Sequence, residues 1–263
     1  MKLSNQNTSL SVIIITKNEE AAICDCINSV SWADEIIVVD ASSSDKTVEI
    51  SKRLGAKVSI HPDWQGFGVQ KNRALDMATN DWVLSIDADE RVTKELRSEI
   101  KEAILHHDTN IAFEIPRLSS YCGQFIHHSG WRPDYVLRLF PRNHAKFSDD
   151  LVHERVLFNG KIKKLKNPML HLSYENLDEV LDKTNRYSSA GAEMLFSRGK
   201  KSSLSKAILH GLWAFLRTYI FKLGFLDGKM GFILAVSNAE TTYYRYLKLM
   251  LLHQERSRIS RSV

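Results

Sequence analysis

The chain has 263 residues, 43% of them hydrophobic and 25% charged, an ordinary globular composition with material for one large or two small domains. Its three cysteines lack the spacing of a zinc site, so we expect reduced thiols. The net charge of +5 is uneven, with +9 on residues 196–263 and −4 on residues 1–195. This asymmetry predicts an anionic partner for the C-terminal part.

Short apolar runs alternate with segments of helical spacing through the first part of the chain. The β-branched run at 11–15 predicts a strand, and residues 23–30 have the spacing of a one-sided helix. Further strands are predicted at 35–40, 57–60, 82–86, 111–115 and 136–140, and further helices at 46–54, at 69–79 and after Thr93. Fully apolar strands alternating with helices predict an α/β fold, a mostly parallel sheet with helices on both faces.

The character of the chain changes near residues 175–200, where it becomes helical and then basic. We therefore predict an α/β domain over residues 1–175 and a helical, amphipathic region over residues 176–263. Within 204–226, apolar residues recur at helical spacing: Ile208, Leu212, Phe215, Tyr219 and Leu223. This pattern fits either a packed helical subdomain or an interfacial helix on an anionic membrane surface. It does not favour nucleic acid, because a regular basic face is missing.

The subcellular location follows from what the sequence does not contain. The first twenty residues lack the pattern of a secretory signal peptide, and no apolar run is long enough to cross a bilayer. We therefore expect a cytoplasmic protein that at most lies on a membrane surface.

Polar residues follow the first, second and fourth predicted strands. Residues 16–19 follow the first strand, Asp40 ends the second, and Asp87 and Asp89 end the fourth. Open α/β sheets bind ligands beyond the carboxyl ends of their strands, so these residues predict a binding site at one edge.

Asp87 and Asp89 allow three interpretations. Side chains two residues apart on an extended segment point the same way, so the two carboxylates would repel each other without a cation. The pair could be a solvated turn, or an aspartyl-phosphatase nucleophile, although Arg91 stands where that class usually has Thr or Val. It could also hold Mg²⁺ or Mn²⁺, which accept carboxylate oxygens and leave positions open for substrate phosphates.

Four segments together resemble the family 2 glycosyltransferases. They lie between about residues 10 and 156 and read SVIIITKNEE, EIIVVDASSSDKT, QKNRALDMATNDWVLSIDADE and RLFPRNHAKFSDDLVHERV. The resemblance implies the GT-A fold, a Rossmann-like fold that binds nucleotide-diphospho-sugars. It also implies transfer of a sugar from a nucleotide-sugar donor with inversion of configuration.

The resemblance also implies roles for individual residues. A first set would contact the nucleotide-sugar: Ile15, Thr16, Lys17, Glu19, Asp40, Lys71, Asn72 and Asp87. Asp40 would accept a hydrogen bond from the uracil or hold the ribose, and the alternative that it caps the turn ASSSD stays open. Asp87 and Asp89 would hold the metal, and His153 is a further candidate ligand.

Inversion in a single displacement needs a base that takes the proton of the acceptor hydroxyl. The segment FSDDLVHERV departs from the acidic pair that many relatives have, and it offers Glu154, Asp150 and Asp149. We take Glu154 as the first choice. The alternative is a strand in which Glu154 makes only surface pairs.

A loop between the predicted strands is both aromatic and cationic, which suits a saccharide or phosphorylated acceptor. The candidate acceptor-binding residues are Tyr121, Trp131 and Arg132. The segments GWRPDYVLRLFPR, VHE and FLRTYIFKLGFLDGKMGF resemble the lipopolysaccharide inner-core β-1,4-glucosyltransferases. This implies UDP-glucose as donor, a heptose of the lipid A–core as acceptor, and a place on the cytoplasmic face of the inner membrane.

Two alternatives remain open besides the phosphatase. One is a family 2 enzyme that transfers galactose or N-acetylglucosamine to a different lipid-linked or surface glycan. The other is a non-catalytic, nucleotide-binding membrane scaffold, which would need no base.

Overall fold

The computed structural model describes residues 8–105, 108–150 and 154–259. The chain divides into two compact units: unit 1 comprises Met1–Arg117 and Asp134–His171, and unit 2 comprises Leu118–Pro133 and Leu172–Val263. The division after residue 171 lies close to the predicted boundary at 175. The sequence did not indicate that residues 118–133 group with the C-terminal helices.

The described strands and helices follow the predicted alternation. The strands are β1 Leu10–Thr16, β2 Glu35–Asp40, β3 Lys57–Ile60, β4 Trp82–Asp87, β5 Glu90–Val92, β6 Ile111–Tyr121, β7 Gln124–Phe125, β8 Tyr135–Pro141, β9 Ala145–Phe147, β10 Val156–Phe158, β11 Lys161–Lys164 and β12 Met169–His171. The helices are α1 Ile23–Ser29, α2 Thr47–Arg53, α3 Phe67–Met77, α4 Lys94–Ile104, α5 Leu177–Ser197, α6 Leu204–Leu216 and α7 Gly228–Ile259.

The sheet of unit 1 is mixed. Strands β3, β2, β1 and β4 are neighbours in that order and run parallel. Beyond β4 the sheet continues through β8, β6, β12 and β5, and the β4–β8 and β6–β8 pairs are antiparallel. The α/β class is confirmed, and its parallel part comprises the strands that the sequence indicates most clearly.

The central strand β1 is buried on both of its faces. Val12 and Ile14 pack in one apolar cluster with Ile27 of α1, while Ile13 packs in a second cluster with Ala74 of α3. Because both faces are covered by helices, the strand is continuously apolar rather than alternating. This burial holds the carboxyl ends of β1 and β4 side by side, where Ile15 pairs with Asp87.

A buried carboxylate ties the opposite end of the parallel strands together. Glu35 of β2 accepts hydrogen bonds from the Ser11 hydroxyl (2.5 Å) and the Thr79 backbone amide (2.9 Å), and it pairs with Lys57. Burial alone would raise the pKa of Glu35, but the hydrogen bonds from Lys57, Ser11 and Thr79 outweigh it and lower the pKa to about 2. The ionised carboxylate therefore stabilises the folded sheet.

Unit 2 is built on the three long helices. Side-chain caps begin two of them, since Asn176 accepts from the Glu179 amide and Ser203 from the Lys206 amide. Gly211 of α6 lets the helix approach α7, because an added Cβ would lie 3.1 Å from the Tyr243 Cβ. No helix in the described part of the chain is long and apolar enough to span a membrane.

Helix α6 and the turns after it leave many large apolar side chains exposed. We define the α6 apolar surface as Ile208, Leu209, Leu212, Trp213, Leu216 and Phe221, which are 37% to 65% exposed. The predicted stripe divides here: Ile208, Leu212 and Leu223 are exposed, whereas the rings of Phe215 and Tyr219 pack against Phe232.

Candidate functional site

The carboxyl ends of β1 and β4 border a cavity of about 280 Å³, which we call the strand-end cavity. It is lined by Ile15, Thr16, Lys17, Glu19, Trp64, Phe67, Asp87, Ala88, Asp89 and His171. The predicted nucleotide-binding segment and the two aspartates therefore lie around one space. Its lining combines carboxylates with aromatic rings, which suits a ligand that has a charged part and a flat part.

The turn after β2 fixes the segment that follows β1. The Asn18 backbone amide donates to the Ser43 hydroxyl (2.8 Å), and the Glu19 amide donates to the Thr47 hydroxyl (2.7 Å). Asp40 is fully buried and accepts from the Thr16 hydroxyl (2.9 Å) and from the backbone amide of Ser43 (2.8 Å). In this conformation Asp40 supports the turn, as the cap alternative expects, and contact with a uracil would require it to move.

A second cavity, of about 430 Å³, is also lined by Asp87. We call it the Glu154 cavity, and its polar lining is Lys71, Asp87, Glu114, Arg117, Tyr135, Arg138, Glu154 and Arg155. Since Asp87 lines both cavities, the two spaces are adjacent. Asp87 and Asp89 therefore line the first cavity, and Asp87 and the first-choice base Glu154 line the second.

Asp87 has cationic neighbours in the folded chain. Its carboxylate lies 2.6 Å from Arg138 Nη2 and 3.1 Å from Lys71 Nζ. Burial alone would raise the pKa of Asp87, but the charges of Arg138 and Lys71 outweigh burial and hold the pKa far below its usual range. Two protein cations already neutralise the Asp87 carboxylate. A metal ion would therefore compete with Arg138 and Lys71 for Asp87 in its predicted role as a metal ligand.

Arg138 joins Asp87 to a second acid that the sequence analysis missed. Glu90 is fully buried, lies 2.7 Å from Arg138 Nη2 and accepts from the Asp87 backbone amide at 2.9 Å. Burial raises the pKa of Glu90 in spite of the Arg138 charge. In the sequence, the position of Glu90 in the acidic run DADE marks it as a possible site residue. Nothing near it in the sequence indicates that Arg138 is its partner.

Asp89 faces a different neighbour, because the chain turns at Ala88 and Asp89 between β4 and β5. The extended geometry assumed for the pair is therefore wrong. The Asp89 carboxylate, about a third exposed, lies 3.2 Å from His171 Nε2. His171 reaches this position because β12 pairs with β5, where it is opposite Glu90. The sequence analysis missed His171, which is remote along the chain.

Asp89 and His171 are a chemically suitable part of a divalent cation site. Among the residues that the structure describes, no group of three or more His, Cys, Asp and Glu side chains could hold a metal ion alone. Mg²⁺ and Mn²⁺ commonly complete their coordination with substrate phosphates and water, so two protein ligands beside a diphosphate fit such an ion. The candidate ligand His153 lies outside the described residues.

Helix α3 holds the segment that carries the candidate base. Lys71 Nζ lies 2.8 Å from Glu154 Oε1. The Asn72 side chain donates to the Phe147 carbonyl (3.0 Å) and accepts from the Phe147 amide (2.8 Å). The prediction that Asn72 contacts the nucleotide-sugar therefore needs correction, because both ends of its amide are bonded to backbone. Gly68 packs closely too, since an added Cβ would lie 1.9 Å from the Ser148 carbonyl oxygen.

The three candidate bases differ in their surroundings. Glu154 is half-buried and lines the cavity that Asp87 shares. Asp149 and Asp150 are exposed, and Asp150 accepts from the Ser148 hydroxyl at 2.9 Å. The structure therefore favours Glu154 by position.

The candidate acceptor residues all lie in unit 2, where one of them has a structural role. Tyr121 is 1% exposed, its hydroxyl is 2.7 Å from the Ser237 hydroxyl, and its ring packs against Trp131. The prediction that Tyr121 binds the acceptor is therefore corrected: its ring belongs to a buried cluster. Trp131 and Arg132 are both half-buried, and Arg132 Nη1 lies 3.5 Å from His127 Nδ1.

Comparison with known proteins identifies the family. Residues 11–165 match the model of glycosyl transferase family 2. The chain belongs to glycosyl transferase family 2. The resemblance noted from the sequence is thereby confirmed, and with it the GT-A-like fold and glycosyltransferase activity.

Relatives of this family 2 glycosyltransferase cover nearly the whole chain. An uncharacterized glycosyltransferase of Rickettsia typhi is 38% identical, over 91% of this chain and 86% of the relative. The lipopolysaccharide core biosynthesis glycosyltransferase LpsC of Rhizobium meliloti is 30% identical, over 95% of this chain and 94% of its own.

Two solved structures are similar to this family 2 glycosyltransferase at low TM-scores. TarS residues 1–349 from S. aureus, in complex with UDP-GlcNAc, is 18% identical with a TM-score of 0.48, over 94% of this chain and 92% of that chain. Glucosyl-3-phosphoglycerate synthase of Mycobacterium tuberculosis, in complex with Mn²⁺, UDP and glucosyl-3-phosphoglycerate, is 27% identical with a TM-score of 0.36. It covers 43% of this chain and 45% of that chain.

Proposed function

We propose that this glycosyltransferase moves glucose from UDP-glucose, with inversion, to a heptose of the lipopolysaccharide inner core in a β linkage. The observation that carries the proposal is that Asp87 lines both the strand-end cavity and the Glu154 cavity. A donor in the first space and an acceptor in the second would meet at one residue. The name of the relative LpsC, which refers to lipopolysaccharide core biosynthesis, supports the acceptor class.

The strand-end cavity is the proposed donor site. The segment that begins at Ile15 and ends at Glu19 borders the nucleoside, with its backbone held by the turn after β2. Asp89 and His171 would hold Mg²⁺ or Mn²⁺, which would neutralise negative charge on the departing nucleotide diphosphate. Lys17 adds a cation to the lining of the same space.

Glu154 is the proposed base. Its carboxylate takes the proton of the acceptor hydroxyl as that oxygen attacks the anomeric carbon from the face opposite to the leaving diphosphate. Lys71 fixes the carboxylate by its 2.8 Å contact and binds Asp87 at 3.1 Å, so one lysine positions the base relative to the residue that lines both cavities. Asn72 and Gly68 hold the backbone of the same segment.

Unit 2 is proposed to dock on the cytoplasmic face of the inner membrane. The α6 apolar surface exposes six large apolar side chains, and Lys206, Arg217 and Lys222 are exposed on the same stretch of chain. Apolar side chains with adjacent cations suit the boundary between acyl chains and anionic headgroups. Trp131 and Arg132, both half-buried, are the remaining candidates for acceptor contacts in this unit.

The experiment that tests the substrate assignment is transfer from a panel of UDP-sugars to a lipid A–core acceptor with a heptose terminus. We expect product only with Mg²⁺ or Mn²⁺ present, most rapidly from UDP-glucose, with a β linkage by NMR. Faster transfer from UDP-galactose or UDP-N-acetylglucosamine would replace the donor. UDP binding without transfer to any acceptor would support the membrane scaffold instead.

A further inference from the structure

The loop after β3 and the first residue of α3 place two aromatic rings, Trp64 and Phe67, on the lining of the strand-end cavity. Trp64 is 45% exposed and Phe67 is 47% exposed. Their ring centroids are 4.9 Å apart and their planes are nearly perpendicular, at 89°. The two rings therefore support each other and still leave almost half of their surface accessible.

Hydrogen bonds to β2 and to α3 anchor the loop that precedes these rings. The His61 amide donates to the carbonyl of Asp40 at the end of β2 (2.8 Å). Arg73 of α3 donates to the Asp63 carboxylate (2.6 Å) and to the Asp63 carbonyl (3.2 Å). Gly66, with φ of +109°, lets the chain turn into α3 in a conformation that other residues rarely adopt. The exposed rings are thus presented by an ordered turn, a preorganised arrangement for binding.

The rest of the lining shows what kind of ligand would use the rings. Asp87, Asp89, Glu19 and His171 supply charged and polar groups in the same cavity. A ligand that satisfies both kinds of surface has a charged part, which a cation can neutralise, and a flat ring that stacks. A nucleoside diphosphate has both, and every nucleobase has a face that can stack on an aromatic side chain.

We propose that Trp64 and Phe67 form the stacking platform for the nucleobase of the donor. The proposal deepens the proposed function and rests on it, since it requires that the donor nucleotide occupies the strand-end cavity. The rings bind the base by its face, and the edge of the base stays available for hydrogen bonds from the segment after β1. The platform adds affinity for the nucleoside without contacting the diphosphate.

Binding measurements on the full-length chain test the platform. In calorimetry with Mg²⁺, we expect Trp64→Ala to weaken UMP, UDP and UDP-glucose by roughly tenfold each. Inorganic pyrophosphate should bind the variant as it binds the wild type. Trp64→Phe should recover most of the affinity because it keeps a ring, and Phe67→Ala should give an intermediate loss. UMP should also quench tryptophan fluorescence in the wild type and much less in Trp64→Ala.

The matched control is Tyr187→Ala, which removes a 60% exposed aromatic ring from α5 and should leave UDP affinity unchanged. Thermal unfolding shows whether each variant is folded. Unchanged UMP and UDP affinity in Trp64→Ala, with only UDP-glucose weakened, would show that the rings contact the sugar and would overturn the proposal. If the wild type binds UDP and Trp64→Ala binds it equally, the platform is wrong and the proposed function survives. If the wild type binds no uridine nucleotide, the proposed function itself fails.

Discussion

Asp87 and Asp89 lie two residues apart, yet their carboxylates have different neighbours. Asp87 contacts the buried Arg138 and Lys71, while Asp89 faces His171 at a turn. The sequence motif predicts that Asp87 and Asp89 act as one pair, because their spacing is the only information it contains. Asp87 balances two buried cations, whereas the partly exposed Asp89 pairs with His171 on the lining of the strand-end cavity.

The first prediction is that substitutions of Asp87 and Asp89 have different effects. Asp87→Asn should destabilise the fold by about 2 kcal/mol or more, because Arg138, with a side chain 5% exposed, would lose one of its two close anionic partners. Asp89→Asn should leave unfolding by urea unchanged and abolish the increase in UDP affinity that Mn²⁺ or Mg²⁺ produces. Equal loss of stability in both variants would contradict the separation of their roles.

The second prediction concerns Asn72. It distinguishes the positioning role that the structure indicates from the donor contact that the motif implies. Because its amide holds the Phe147 backbone, Asn72→Ala should lower kcat for transfer with little effect on UDP affinity. A residue that faced the donor would show the reverse. If calorimetry finds weakened UDP binding at an unchanged kcat, the motif-based role is right and the positioning role is wrong.

The elements that the sequence indicates best are the ones with local signals. β1 and β2 are recognisable because both of their faces are covered by helices, so their sequences are continuously apolar. Thr93 caps α4 by accepting from the Leu96 amide at 3.1 Å. Helix α3 begins at Phe67, two residues before the predicted start at 69. The prediction was late because Phe67 lies between two glycines, which are typical of a loop.

The site residues that the sequence does not reveal depend on pairing between distant segments. His171 lies beside Asp89 only because β12 pairs with β5, and no local pattern around residue 171 indicates this. Tyr121 stands in a stretch with the composition of an exposed aromatic loop. It is buried in a cluster with Val180 and Leu234, and its hydroxyl contacts that of Ser237 of α7, more than a hundred residues away. Spacing along one chain carries no information about such contacts.

The junction of β1, β2 and β3 gives a third prediction, which concerns pH. The pKa of Glu35 is about 2 in the folded chain and near its ordinary value of 4.5 when unfolded, so its stabilising effect is complete above pH 4.5. That effect is lost as the pH falls from 4.5 towards 2.

Glu35→Gln should therefore reduce the free energy of unfolding by roughly 2 kcal/mol at neutral pH, and the difference from wild type should shrink in acid. Urea unfolding across this pH range measures the effect, with Glu49→Gln, an exposed acid on α2, as the control. A difference that stays constant down to pH 2 would show that the charge of Glu35 is not the cause.

The chain combines a family 2 transferase region with helices that carry most of its positive charge. The family match covers residues 11–165, whereas the +9 charge lies on residues 196–263. The relative LpsC extends the similarity over 95% of the chain, so the helical part is shared beyond the family model. Charge and apolar exposure in that part are the basis for the proposed membrane contact.

Membrane binding is the fourth prediction. The chain should sediment with vesicles that contain anionic lipid, and high salt should weaken binding because it screens the Lys and Arg side chains. The double variant Leu212→Glu/Phe221→Glu should bind at least about tenfold more weakly, since it removes two large side chains from the α6 apolar surface. Leu181→Glu on α5, which is 48% exposed in the wild type, is the control. Equal binding by the double variant would place the contact elsewhere.

The most direct test of the account is single-turnover sugar transfer by Glu154→Gln. The variant keeps the shape of the side chain and removes its ability to take a proton, so transfer from UDP-glucose to the core acceptor should fall about 100-fold or more. UDP affinity should be unchanged, and Asp149→Asn and Asp150→Asn should transfer at rates near that of the wild type. A wild-type rate for Glu154→Gln, or loss of transfer in either aspartate variant, would contradict the assignment of Glu154 as the base beside the donor cavity.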